Sequence, residues 1–128
     1  MNALKILGII SFLILVMHIL VLIQFIPYDM VWAGKLHSVE EMQRFEIVSI
    51  LANLLLMTTL WIKYRQIILK HEGKFIRYVL WTFVMVFVMN TLGNLFAKSL
   101  FEKYVFTAVT AICAFLTYRI VKPVNYKA

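Results

Sequence analysis

Acid, cysteine, proline and glycine are all scarce in this chain, and each scarcity excludes something. Cys113 is the single cysteine. It rules out an internal disulfide, a cysteine zinc site and the Cys-x-x-Cys pair of a quinone-coupled thiol oxidoreductase. Two prolines and four glycines in 128 residues leave no flexible linker and no low-complexity segment, so one domain is expected over residues 1–128. Neither H-E-x-x-H nor G-x-S-x-G occurs, and no glycine-rich loop could cradle a phosphate. Six acidic residues stand against thirteen Lys and Arg. None of the six lies near the centre of an apolar run. No nucleophile, carboxylate pair or metal set can be assembled, so the reading leans away from an enzyme, and it calls for no cofactor.

Apolar residues are abundant instead. They make up 63% of the chain, and the mean hydropathy is +0.89. A soluble domain averages about 45–50% apolar residues, and a globule of this size could not hide the excess. Four apolar runs lie at about 6–26, 45–62, 78–97 and 104–121. Each approaches the ~20 residues a helix needs to cross ~30 Å of hydrocarbon. Backbone groups in lipid must be satisfied within their own segment, which favours helices. The first run is too long for a signal-peptide core and no small-x-small site follows it, so it reads as a retained span.

The formal charge of +7 would suggest nucleic acid in a soluble protein. Here the basic residues fall between apolar runs, so they report topology and attraction to anionic lipid, and no nucleic-acid partner is expected. Nine lie at the N-terminus (Lys5), in the second connection (Lys63, Arg65, Lys70, Lys74, Arg77) and at the C-terminus (Arg119, Lys122, Lys127). Four lie in the first and third connections: Lys35, Arg44, Lys98 and Lys103. The expected fold is therefore an all-α integral membrane four-helix bundle with both termini cytoplasmic. A short external loop and helix start should separate its first two helices.

That external stretch runs from Val31 to Glu46. Pro27 discourages helix through Ile26, and Gly34 offers a turn position. Ser38-Val39-Glu40-Glu41 fits a capping box, with Ser38 as N-cap, so the second helix should begin near Val39. Tyr28 and Trp32 suit the membrane interface. Asp29, His37, Glu40 and Glu41 are the one external cluster of metal-ligand types. Their spacing is irregular and capping already accounts for Glu41, so no metal site is assigned.

The polar residues within the runs carry the functional reading. At 100° per residue, Glu46, Ser49 and Asn53 share one face of the second helix. Asn90, Gly93, Asn94 and Ala97 share a face of the third, Thr107 and Thr110 of the fourth, and Ser11 and His18 of the first. These stripes should face one another, because lipid-facing polar groups are costly. Counted from the run boundaries at about 1.5 Å per residue, His18, Asn53, Asn90 and Thr110 fall at one level in the outer half. Two readings follow. In one, His18, Asn53, Asn90, Asn94 and Thr110, rimmed by Trp32, Lys35 and Glu46, line an outward-facing cavity that binds or passes a small polar or amphipathic molecule, as a transporter-like protein would. In the other, the same groups only set helix register in an accessory subunit or homo-oligomer.

Pro27 to Met42, P-Y-D-M-V-W-A-G-K-L-H-S-V-E-E-M, and Asn90 to Lys98, N-T-L-G-N-L-F-A-K, resemble a family of small bacterial four-span membrane proteins with a W-[A/G]-G-[K/R]-L segment after the first span. The likeness would cover most of the chain. It implies an integral membrane fold in the bacterial inner (cytoplasmic) membrane. The family has no assigned activity, so it supplies no site residues.

Overall fold

The computed structural model describes residues 2–26, 38–97, 100 and 102–122. It is all-α, with four long helices and no strand among the described residues. They are α1 (Asn2–Leu22), α2 (Val39–Ile68), α3 (Lys74–Leu95) and α4 (Thr107–Val121), the last entered through a π-helical turn at Glu102–Phe106. Each of the four, with α4 taken together with its π turn, is long and apolar enough to cross a membrane. The helices run up, down, up and down. α1 packs on α2, α3 packs on α4, and α1 also packs on α4 to close the bundle; α2 and α3 touch least of the adjacent pairs.

The helix boundaries have local causes. Ser38, extended at φ −151°, accepts a hydrogen bond from the Glu41 amide at 3.1 Å, so α2 starts at Val39 as its capping sequence predicts. α1 stops at Leu22, well before Pro27. Gln24 adopts a left-handed conformation with φ 64°. Its amide donates to the Val21 carbonyl and the Phe25 amide donates to the Leu20 carbonyl, at 3.0 and 2.9 Å. α2 ends the same way: Lys70 has φ 54°, its amide donates to Ile67, and that of His71 donates to Gln66. Both ends are Schellman caps built on a residue other than glycine. Gly73 instead takes φ −101° as the N-cap of α3. A side-chain carbon there would come within 2.9 Å of Gln66 Nε2, so the glycine admits Gln66 at the turn.

An apolar core occupies the half of the bundle that holds the start of α1 and the end of α4. Leu4 and Leu7 of α1 meet Leu56 and Leu60 of α2, with Ile76, Leu80, Phe83 and Phe87 of α3 and Leu116 and Ile120 of α4. Cys113 is fully buried within it. At the opposite end a small cluster of Val21 and Met42 is covered by Phe106. The outer surface is apolar all round: Ile9, Leu13, Val48, Leu51, Met85 and Met89 are each more than half exposed. A monomer in water does not tolerate a continuous belt of this kind, and a lipid-embedded one requires it.

Placing glycine at the left-handed position should relieve a backbone penalty of roughly 1 kcal/mol. Gln24→Gly is thus expected to raise the thermal midpoint in detergent and Gln24→Val to lower it. Equal midpoints for the two variants would remove the cap from the account of how α1 ends.

Candidate functional site

The α1–α2 seam is antiparallel and carries two polar contacts in one register. His18 Nδ1 donates to Glu46 Oε2 at 2.6 Å. Asn53 Nδ2 donates to the Ser11 carbonyl at 2.8 Å. The two contacts lie seven residues apart on each helix, about 10 Å along the axis. Glu46 is buried, with its side chain 1% exposed, and the imidazole is 16% exposed. Charge assistance suits so short a contact. Val21 and Met42 lie one turn above it and are themselves fully buried. Among the described residues, apolar side chains thus lie between the pair and the end of the bundle.

The α3–α4 seam has its own polar contact. The Thr91 and Thr110 hydroxyls meet at 2.9 Å; with one proton each, one hydroxyl donates to the other while that other donates to its own helix, to the Phe106 or the Phe87 carbonyl. Phe106 covers Val21 and Met42, and Thr110 is one turn beyond it. His18 and Glu46 lie one turn beyond Val21 and Met42 in the same direction. Helix periodicity thus puts the threonine pair and the imidazole–carboxylate pair at a common level. One turn toward the loops, Thr107 Oγ1 is buried with no hydrogen-bond partner among the described residues. Asn94 stands half-buried on the facing helix.

The eight residues singled out in the sequence separate into groups. His18, Glu46 and Thr110 share the upper level, with Asn94 beside it. Asn53 does not join them. The inference of a single layer measured α2 from Phe45 and α1 from Ile26, whereas the helices meet in a register that sets Asn53 against Ser11. Asn53 thus belongs to a second, deeper layer. Asn90 is exposed, which corrects the expectation that it faces the other stripes. The buried face of α3 is set by Ile76, Leu80, Phe83 and Phe87, and the residue continuing that face is Thr91. Trp32 and Lys35 lie outside the described residues. Glu46 pairs with His18, while Arg44 binds Glu40 on the exposed surface at 2.6 Å.

A third polar cluster sits at the other end and was not anticipated. Lys63 Nζ lies 3.0 Å from Glu72 Oε1, with side chains only 6% and 14% exposed. Arg77 Nη2 approaches the second carboxylate oxygen at 3.8 Å. The signal was in the sequence: Glu72 is the one acid within a run of basic residues, and such an acid is held by its neighbours. Trp61, Tyr64, Tyr78, Trp81 and Tyr118 surround this end; Trp81 and Tyr118 meet edge to face at 5.8 Å.

Among the described residues no three of His, Cys, Asp and Glu converge as a metal-binding group. No family model, curated protein or solved structure matches the chain. What the upper level can do chemically follows from its own groups. It offers one imidazole edge, a carboxylate and hydroxyls, which can hold a proton or a small hydrogen-bonding molecule but contain no activated nucleophile.

His18→Leu should take the imidazole from the buried carboxylate and destabilise the protein by roughly 3 kcal/mol, the low end for breaking a buried pair, because the imidazole keeps some exposure. His18→Leu with Glu46→Leu should recover much of that loss. Thermal unfolding of the two singles and the double gives the coupling; strictly additive effects would mean that the pair does not act as a unit.

Proposed function

We propose that this chain is a multi-pass protein of the bacterial inner membrane, with both termini cytoplasmic, that serves as a non-enzymatic interaction subunit. Its buried polar side chains set helix register, and an exposed face of α3 engages a second copy of the chain or a partner membrane protein. The membrane reading is supported by four spans of sufficient length and apolarity. Lys63 and Glu46 are seventeen residues apart on α2, about 25 Å of helix, close to the thickness of the hydrocarbon layer. Orientation is supported by the clustering of Lys and Arg at the end that holds the start of α1, the α2–α3 turn and the end of α4. The likeness in P-Y-D-M-V-W-A-G-K-L and N-T-L-G-N-L-F-A-K supports the bacterial setting.

One observation carries the choice of function. Most of the deep polar contacts join one helix to another, as Asn53 with the Ser11 carbonyl, Thr91 with Thr110 and His18 with Glu46, while Asn90 is exposed. Apart from the buried hydroxyls of Ser11 and Thr107, these contacts leave little for a ligand to satisfy. An exposed amide at span depth favours another helix, and interhelical bonds of this type average about 0.6 kcal/mol. Gly93 lies one turn on from Asn90, and a side-chain carbon there would meet nothing within 4 Å. The bundle does not need glycine at this position, and an approaching backbone does.

A second reading has its own support. The buried, unpartnered Thr107 Oγ1 beside the upper level favours recognition of a small polar molecule near His18, Glu46 and Asn94. The two readings diverge at Asn90. In the interaction reading, Asn90→Leu shifts the oligomer distribution or strips a co-purifying membrane protein, while the thermal midpoint of the isolated chain barely moves. In the ligand reading, it leaves association unchanged and Thr107→Val removes a co-purifying small molecule. Native mass spectrometry of gently extracted protein reads both, and an unaltered distribution in Asn90→Leu would sink the interaction reading.

A further inference from the structure

The end of the bundle that holds the start of α1 and the end of α4 displays, among the described residues, cationic charge with almost nothing to oppose it. Arg65, Lys70, Lys74, Arg119 and Lys122 are exposed there. Glu72 is the single acid in the second connection, and it is turned inward and held by Lys63. Had Glu72 faced out, it would have neutralised its neighbours on the α2–α3 turn. Its inward turn instead converts that turn into a surface of one sign. Arg77 is different again: its side chain is 42% exposed and Nη2 sits 3.8 Å from Glu72. A guanidinium carries five donors and suits bidentate contact with a phosphate.

The opposite end does not share this property. Among the described residues, Glu40, Glu41 and Glu46 lie there with Arg44 and the exposed Lys103, and Glu40 is paired with Arg44 on the exposed surface. The described surface at that end is thus mixed in sign.

We propose that the α2–α3 turn and the C-terminal turn of α4 form a docking surface for anionic phospholipid headgroups, with Arg77, Lys70 and Lys74 as its centre. The occupant is a membrane lipid rather than a soluble acidic partner. The cations directly flank apolar spans, and the aromatic rings of Trp61, Tyr78, Trp81 and Tyr118 lie at the same end, where rings of this type settle among headgroups. Lys122 Nζ rests 4.6 Å from the Tyr118 ring centre, which keeps that charge at the ring's level. Charge complementarity selects the lipid: a phosphatidylglycerol or a diphosphate lipid is anionic, whereas phosphatidylcholine is net neutral. The inference rests on the reading that the four helices cross a bilayer.

The test reconstitutes the full chain in vesicles of phosphatidylglycerol and phosphatidylcholine and measures relative association with spin-labelled lipids of each class. Wild type is expected to favour phosphatidylglycerol, with the preference collapsing near 1 M salt, where the screening length is about 3 Å. The triple variant Arg65→Gln, Lys70→Gln, Lys74→Gln should lower that preference by at least about tenfold, given that each surface cation contributes about a fivefold factor. Glu40→Gln with Glu41→Gln, at the other end, should leave it unchanged. Alkaline carbonate extraction of each protein from membranes separates the two levels of failure. Release of wild type into the supernatant overturns the membrane reading itself. Firm retention with equal association of the two lipids overturns the headgroup dock alone, as does an equal fall in preference for the acidic-end variant.

Discussion

The donation from Asn53 Nδ2 to the Ser11 carbonyl is small in energy and large in consequence. Amid apolar packing, a buried amide that lost this partner would pay for its desolvation, so the contact acts less through its own strength than through the penalty for losing it. A slip of one residue along α1 would rotate Ser11 about 100° away from α2. The same slip would move His18 from Glu46, seven residues off, and leave a carboxylate buried without its imidazole. The two contacts therefore enforce one register together. The dry packing of Leu4 and Leu7 on Leu56 and Leu60 needs that register but could not choose it alone, because leucines in lipid gain little from meeting other leucines.

This dependence explains which parts of the structure were legible in the sequence. Four helices followed from the length and apolarity of four runs, and the start of α2 from the Ser38 capping box. Both are local signals that tertiary packing does not override. The depth of a polar residue was another matter, because it was counted from boundaries set by hydropathy. Hydropathy does not register a Schellman cap: Ile23 and Phe25 are apolar enough to extend the run, yet the left-handed Gln24 closes α1 at Leu22. Counting depth from Ile26, four residues past the end of α1, and from Phe45, six residues inside a helix that begins at Val39, suffices to place Asn53 level with His18 instead of two turns deeper.

The rotation of α3 failed for a different reason. Its polar residues occupy adjacent faces: Asn90 and Gly93 on one, Thr91 on another. A rule that sends polar groups inward cannot decide between neighbours 100° apart. The aromatic and aliphatic stripe of Ile76, Leu80, Phe83 and Phe87 decides it, because volume must be matched along the whole seam with α4. Thr91 then meets Thr110, and Asn90 is carried outward as a by-product. Threonine also tolerates this burial well, since its hydroxyl is already satisfied by its own helix at Phe87.

The three polar levels also divide their tasks along the axis. At the middle, Asn53 and Ser11 are neutral, as the depth demands. Among the described residues the buried ionisable pairs lie toward the two ends, His18 with Glu46 and Lys63 with Glu72, where one partner of each pair, His18 or Glu72, still partly reaches the surface. The ends differ in what the pairing does to the exterior. Burying Glu46 takes an acid away from an end that has others exposed, so the surface there stays mixed in sign. Burying Glu72 leaves its end cationic. An ion pair that adds little net stability when fully desolvated can thus still shape the protein by choosing which charges remain visible. That choice, together with the outward amide of Asn90, puts the recognisable chemistry of this bundle on its surface rather than in its centre.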